Sequence, residues 1–244
     1  MKPLVITALC LLPVSDCIAQ EVDVETFYWA RTTAGVSDND ILAANVGATW
    51  RGDTWSTRLG GAYGVRNEDW TGEYPSLAGV DLFRFRDLPD GRTGWSVALD
   101  WAEDRTTVLE AAWGRAWDRP QAVGRVTVGA SVLADNDDVP GRDTLSPAAV
   151  GEWTWYPRDW AAIGAGMQVD DRGVLGALRT DLKLAENASF RLEWSYTENY
   201  YDFDGAYFNN DIRGGLFFTV PFDSLRERDA RLPLRLTHRF ARAQ

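Results

Sequence analysis

Cysteine, histidine and methionine are nearly absent from this chain of 244 residues. Both cysteines, Cys10 and Cys17, lie near its start, so everything after them must fold without a disulfide. The single histidine is His238. A Ser–His–Asp triad or a zinc centre would need it, but no Gly-x-Ser-x-Gly and no metal-ligand spacing accompanies it. No catalytic residue, metal or other cofactor is therefore expected. No apolar run reaches eighteen residues, which excludes a membrane-spanning helix. Basic side chains are the minority, 25 Lys and Arg against 36 Asp and Glu, for a net charge of −11. That balance argues against nucleic acid as a partner, because phosphate neutralisation needs basic surface. Helical spacing and fixed repeats are missing as well.

The chain does have an exported-protein start, many aromatics and a strict two-residue alternation. Met1-Lys2, an apolar run from Leu4 to Val14 and the small-residue site Cys17-Ile18-Ala19 form a secretory signal peptide. Residues 1–19 are expected to be removed, leaving 20–244 as one domain. Lipidation of Cys17 is the rival reading, and Asp16 in front of it argues against that. There are 12 Trp, 10 Phe and 8 Tyr.

Alternation is clearest in residues 173–197. Val174, Gly176, Leu178, Thr180, Leu182 and Leu184 interleave with Leu175, Ala177, Arg179, Asp181 and Lys183. After a polar break at 186–189, Phe190, Leu192, Trp194 and Tyr196 interleave with Arg191, Glu193, Ser195 and Thr197. Period two places successive side chains on opposite faces of a strand, and two such strands joined by a short turn make an antiparallel hairpin. Each is about ten residues long, enough for a tilted strand to cross a bilayer. The same pattern recurs along the chain. Polar loops are expected at 67–76, 135–146 and 198–211, all at one end, and short turns at the other. The reading is an all-β, transmembrane, antiparallel up-and-down barrel whose apolar face meets lipid. Thirteen candidate strands appear, the last at 232–240. Single-chain bacterial barrels have an even number, so twelve is the expected count and fourteen the alternative.

The export signal, the alternating strands and the ending LPLRLTHRF at 232–240 resemble a Gram-negative outer-membrane β-barrel of the small porin-like class. The stretch RGGLFFTVPFD at 213–223 is faintly similar to barrels linked to exopolysaccharide export. The class resemblance implies an outer-membrane location and contact with lipid and lipopolysaccharide. It also implies delivery by the barrel-assembly machinery through a final strand ending on an aromatic, here Phe240. Four residues follow that Phe, a departure from the class pattern.

On the inward face the pattern puts Arg58, Asp100, Glu110, Arg125, Glu152, Arg179, Asp181, Lys183, Arg191, Glu193 and Arg213, with Arg235 and Arg239 on the last candidate strand. Fixed charges around a lumen select solutes, whereas in a narrow interior they pair and fill it. The basic surplus among them favours small anionic solutes or a polysaccharide. Trp55, Trp95, Trp101, Trp113, Trp153, Trp155 and Trp194 fall mostly near strand ends and fit an aromatic girdle at the headgroup level. The expected function is a non-enzymatic outer-membrane barrel, either a small pore or an accessory to surface-polysaccharide export. Two alternatives are a structural or surface-interaction barrel with a plugged lumen, and a soluble secreted β-sandwich that binds carbohydrate through Trp.

Overall fold

In the computed structural model the described residues are 19–33, 36–66, 72–102, 106–135, 144–171, 173–203, 206–230, 232 and 234–236. Twelve strands follow one another. They are β1 (Ala19–Thr33), β2 (Val36–Arg51), β3 (Trp55–Arg66), β4 (Gly72–Leu88), β5 (Gly91–Ala102) and β6 (Thr106–Arg119). Then come β7 (Ala122–Asp135), β8 (Thr144–Arg158), β9 (Ala161–Asp170), β10 (Gly173–Ala185), β11 (Ala188–Phe203) and β12 (Ala206–Phe218). Each pairs antiparallel with its sequence neighbour, and β12 pairs with β1 to close the barrel. Closure removes every sheet edge, the condition for β-structure in lipid. The β-sandwich alternative is thereby excluded. Among the described residues no helix is long and apolar enough to cross a membrane; the chain crosses with strands.

Side-chain direction follows the alternation. Val97, Leu109, Trp113, Val126, Ile163, Leu178, Leu192 and Ile212 lie exposed on the outer surface, while Ala98, Glu110, Thr127, Arg179, Asp181 and Arg191 are buried inside. An apolar belt of this extent around a closed wall is a lipid-facing surface, not a soluble protein's. It makes the barrel a membrane-spanning one.

Strands meet at one end in short turns at 52–54, 89–90, 120–121, 159–160 and 186–187. Gly91 ends one of them at φ +147, and a Cβ there would lie 2.1 Å from the Ala116 carbonyl oxygen. Only glycine avoids that collision. At the other end the connections are shorter than the alternation suggested. β4 begins at Gly72, β8 at Thr144, β11 runs to Phe203 and β12 starts at Ala206. Of the expected loops, 72–76, 135, 144–146, 198–203 and 206–211 thus extend the strands, since ladder hydrogen bonds satisfy a polar backbone whatever the side chains; the rest lie outside the described residues.

The thirteenth candidate strand is not part of the wall. β12 stops at Phe218, and the chain turns under the short-turn end into helix α1 (Leu225–Ala230). It then enters the barrel at 234–236. Ser224-x-x-Glu227 is the sequence signature of a helix start. Glu227 N–H donates to Ser224 Oγ at 3.2 Å, and the Glu227 carboxylate receives Asp223 N–H at 2.7 Å. Alternation at 234–236 reflects two surroundings inside the lumen rather than lipid and lumen. Leu236 packs on Ala112 and Val150, while Arg235 faces carboxylates. Residues 1–18, which hold all but Ala19 of the expected signal segment 1–19 and include Cys10 and Cys17, lie outside the described residues, as do His238, Arg239 and Phe240. The aromatic that ends the last described strand is Phe218.

Candidate functional site

The lumen is where this chain concentrates its charge. Cross-strand register sets residues of opposite sign beside each other. Arg179 on β10 is opposite Glu193 on β11, which is opposite Arg213 on β12; Asp181 is opposite Arg191, and Arg125 on β7 is opposite Glu152 on β8. Opposite charges at such positions stabilise the pairing of strands.

One group of pairs joins wall to wall. Arg191 Nε donates to Asp181 Oδ1 at 2.7 Å. Arg58 grips Asp23 of β1 with Nη2–Oδ2 at 2.7 Å and Nε–Oδ1 at 3.2 Å. Arg51 Nε reaches Glu21 at 2.9 Å, and Arg125 Nη1 lies 3.8 Å from Glu152. Arg213 on β12 bonds Glu25 on β1, a buried pair across the closing seam.

A second group joins wall to the C-terminal segment. Asp229, fully buried, receives Arg179 Nη2 at 3.2 Å and the Tyr156 hydroxyl at 3.0 Å. Its carbonyl accepts from Arg125. Arg228 donates to Ser189 Oγ at 2.6 Å and to Asp181 Oδ1 at 3.1 Å. Burial alone would raise the Asp229 carboxyl, but Arg228, Arg179, Arg191 and Arg125 outweigh it and hold the group below the usual carboxylate range. Across the barrel, Arg235 Nη1 reaches Asp81 Oδ2 at 2.6 Å, with Asp100 at 3.7 Å and Glu110 at 3.8 Å from other atoms of the same guanidinium. Leu236 N–H donates to Glu110 Oε1 at 3.0 Å, and Ser96 Oγ donates to the Leu234 carbonyl at 2.8 Å.

Lower down, the segment is stitched to the turns. Thr219, Phe222 and Leu225 donate their N–H groups to the carbonyls of Asn187, Glu186 and Asp159 at 2.8–2.9 Å. Lys183 Nζ donates to the Phe222 and Asp223 carbonyls at 2.6 and 2.8 Å. Phe222 and Leu225 pack with Val123, Tyr156 and Ala162.

The residues from Arg58 to Arg213 assigned to the inner face by alternation therefore sit on the inner wall, and most engage a partner in the network; Arg235 reaches that wall from the segment after the barrel, and Arg239 lies outside the described residues. The interior is not basic on balance. Among the described residues Glu25, Asp81, Asp211 and Asp229 are also buried, and the alternation did not single them out. Asp81 was legible as the register partner of Arg58. Arg228 and Asp229 were not, because nothing in strand periodicity brings a post-barrel helix inside. Space left between Glu152, Thr154, Gly164, Gly166, Arg179 and Glu193 is no larger than a water molecule. Among the described residues no cluster of His, Cys, Asp and Glu has a geometry that holds a metal.

Of the aromatic set, Trp95, Trp113, Trp153, Trp155 and Trp194 are exposed on the outer face, with Trp55 half-buried beside the 52–54 turn. Trp95 and Trp113 are direct cross-strand partners. Trp160, in the 159–160 turn, is exposed too and was not in the set. Trp101 lies on β5 opposite Thr107.

No protein-family model matches the chain, and no curated protein matches it in sequence. Its shape is shared with solved barrels. The NanC porin aligns with a TM-score of 0.59 and 12% identity, over 81% of this chain and 98% of that one. The KdgM porin, solved in complex with disordered oligogalacturonate, gives 0.56 and 8%, over 80% and 98%. An outer membrane channel from Pseudomonas putida F1 gives 0.56 and 12%, over 85% and 99%. The likeness is one of fold, that of small outer-membrane channels of Gram-negative bacteria.

Proposed function

We propose that the protein is a small outer-membrane channel for charged solutes, non-enzymatic, with its water path along the charged inner wall. The observation that carries this reading is the contrast between the two faces of the same strands. Outside is an apolar belt; inside, Arg58, Arg125, Arg179, Arg191 and Arg213 alternate with carboxylates across the register. A barrel that served only as an anchor needs no such wall, because apolar packing fills a narrow interior at lower cost than ion pairs do. Arginines on β7 and β10–β12 favour small anionic solutes on that side, and the oligogalacturonate in the KdgM porin structure is the kind of acidic sugar chain such a path suits. A permanently plugged barrel is the second reading, and the C-terminal segment in the lumen favours it.

The test is single-channel recording of the purified full chain in a planar bilayer with a salt gradient. Discrete conducting events are expected. Arg125→Gln and Arg179→Gln should move the reversal potential toward cation permeation. Silence at all voltages from a correctly folded barrel supports the plugged reading instead.

A further inference from the structure

We infer that the lipid-facing side of β4, at the end where the short turns lie, holds the phosphate of an anionic phospholipid between Arg84 and Arg86. The inference needs the lipid-facing barrel but not the channel reading above. Arg84 is the register partner of Trp55 on one side and of Trp95 on the other, and Trp95 is the partner of Trp113. Arg86, two residues nearer the 89–90 turn, is opposite Thr93, which is opposite Arg115. Arg84 and Arg86 are both exposed. The tryptophans mark the headgroup level, and a step of two residues along a strand is about 6–7 Å. Arg84 is thus level with the aromatic girdle, and Arg86 lies just beyond it. Charge costs little at that depth, because an arginine stem can follow apolar surface while its head reaches the polar layer.

Among the described residues neither guanidinium has an ion pair, a hydrogen bond or a ring contact. The carboxylates at this end are taken by other arginines. Asp87 pairs with Arg92 on the inner face at 2.7 Å, Asp90 with Arg115 at 3.0 Å, and Asp118 with Arg226. Asp53, exposed in the 52–54 turn, reaches neither. Arg115 is further occupied by the Trp117 ring, 5.3 Å from its guanidinium carbon. Two arginines on one strand face therefore offer donors that no acceptor of the protein meets, and the planar fork of each matches a phosphate. The charge belongs to one sector of the barrel. At the same end β10 and β12 turn Leu182, Leu184, Leu216 and Phe218 outward, with no charged residue among them. Short turns of single-chain barrels lie on the periplasmic side, where the phosphate within reach is that of a phospholipid.

The experiment uses the full chain with Cys10 and Cys17 replaced by serine, folded into lipid vesicles. A fluorophore on Leu82→Cys, one outward step deeper than Arg84, reports quenching by lipids with brominated acyl chains. A second label, on Leu216→Cys, reports the uncharged sector. Brominated phosphatidylglycerol should associate about fivefold more strongly than brominated phosphatidylcholine at position 82, the share of one basic side chain near an anionic surface. At position 216 the two lipids should quench alike. Arg84→Gln combined with Arg86→Gln, with the barrel shown folded by heat-modifiable gel migration, should bring position 82 to the same parity. Equal association of the two lipids at position 82 in the unsubstituted chain overturns the site. A preference that survives the double variant overturns the assignment to these arginines. Displacement of the brominated phosphatidylglycerol by millimolar inorganic phosphate would make the ligand a free anion and overturn the lipid. Stronger displacement by lipopolysaccharide than by unlabelled phosphatidylglycerol would put this end in the other leaflet and overturn it too. None of these results depends on whether the barrel conducts.

Discussion

Arg235 and Asp81 are separated by 154 positions in sequence and by 2.6 Å in space, Nη1 to Oδ2. One belongs to the segment that follows the barrel and the other to the inner face of β4. Their contact joins the post-barrel segment to the wall. That arrangement separates the forces that make the barrel from those that close it. Strand ladders and lipid contact make the wall, while charge, backbone hydrogen bonds and apolar packing together hold the segment against it.

The seam should be the most sensitive place for a single charge deletion. Arg213→Met leaves Glu25 buried between β12 and β1 without its guanidinium, and breaking a buried pair costs about 3–5 kcal/mol. Replacing both, Arg213→Met with Glu25→Leu, should recover more than half of that loss. Urea unfolding of the detergent-refolded barrel reads both values. Equal losses for the single and double variants would mean that the pair is not what secures the seam.

Charge placed on the outer face should be penalised by depth. Leu178 lies near the middle of β10 and Leu184 beside the 186–187 turn, both exposed. Leu178→Arg should cost about 2–4 kcal/mol in a bilayer and Leu184→Arg about 0–1 kcal/mol. Folding equilibria in lipid vesicles measure the difference. Equal costs would contradict the assignment of that face to lipid.

Steric pressure at Gly114 should loosen residues 234–236 with no change of charge. Gly114→Val brings side-chain carbon within contact of Leu234 Cβ and Thr127 Oγ1, and overpacking costs about 1–3 kcal/mol. Faster hydrogen exchange at the Leu236 amide, with strand amides of β10 and β11 unchanged, is the expected readout.

Acid should release helix α1 only below the ordinary carboxylate range. Because the folded-state value of Asp229 is lowered, its contribution is complete above the unfolded value, about 3.9. It is lost as pH falls through the lower folded value. Limited proteolysis within 225–230 should therefore stay slow at pH 5 and accelerate only in stronger acid. Release already at pH 5–6 would be inconsistent with the guanidinium cage around that carboxylate.

Much of this architecture was legible in the sequence because lipid outside and charge inside impose opposite demands on adjacent residues. Leu178 beside Arg179, or Leu192 beside Arg191 and Glu193, leave no doubt about which face each occupies. Even the strand count followed once the last candidate was set aside. What escaped had a physical cause. Leu234-Arg235-Leu236 alternates as a lipid-facing strand does, but both halves of its alternation are satisfied within the lumen, by Ala112 and Val150 on one side and Asp81 on the other. Period two reports two environments without saying which two. The cap at Ser224 and Glu227 was the available sign that the wall had ended, and a six-residue helix is too short for periodicity to reveal.

The central claim is that even-numbered residues of β10 face lipid and odd-numbered ones face the interior. Site-directed spin labels placed singly from Leu175 to Lys183 in vesicles test it directly. Collision with oxygen, which concentrates in lipid, should be high at Leu178, Thr180 and Leu182 and low at Ala177, Arg179 and Asp181. Loss of the two-residue period, or water-soluble reagent reaching the even positions more readily than oxygen does, would contradict the account.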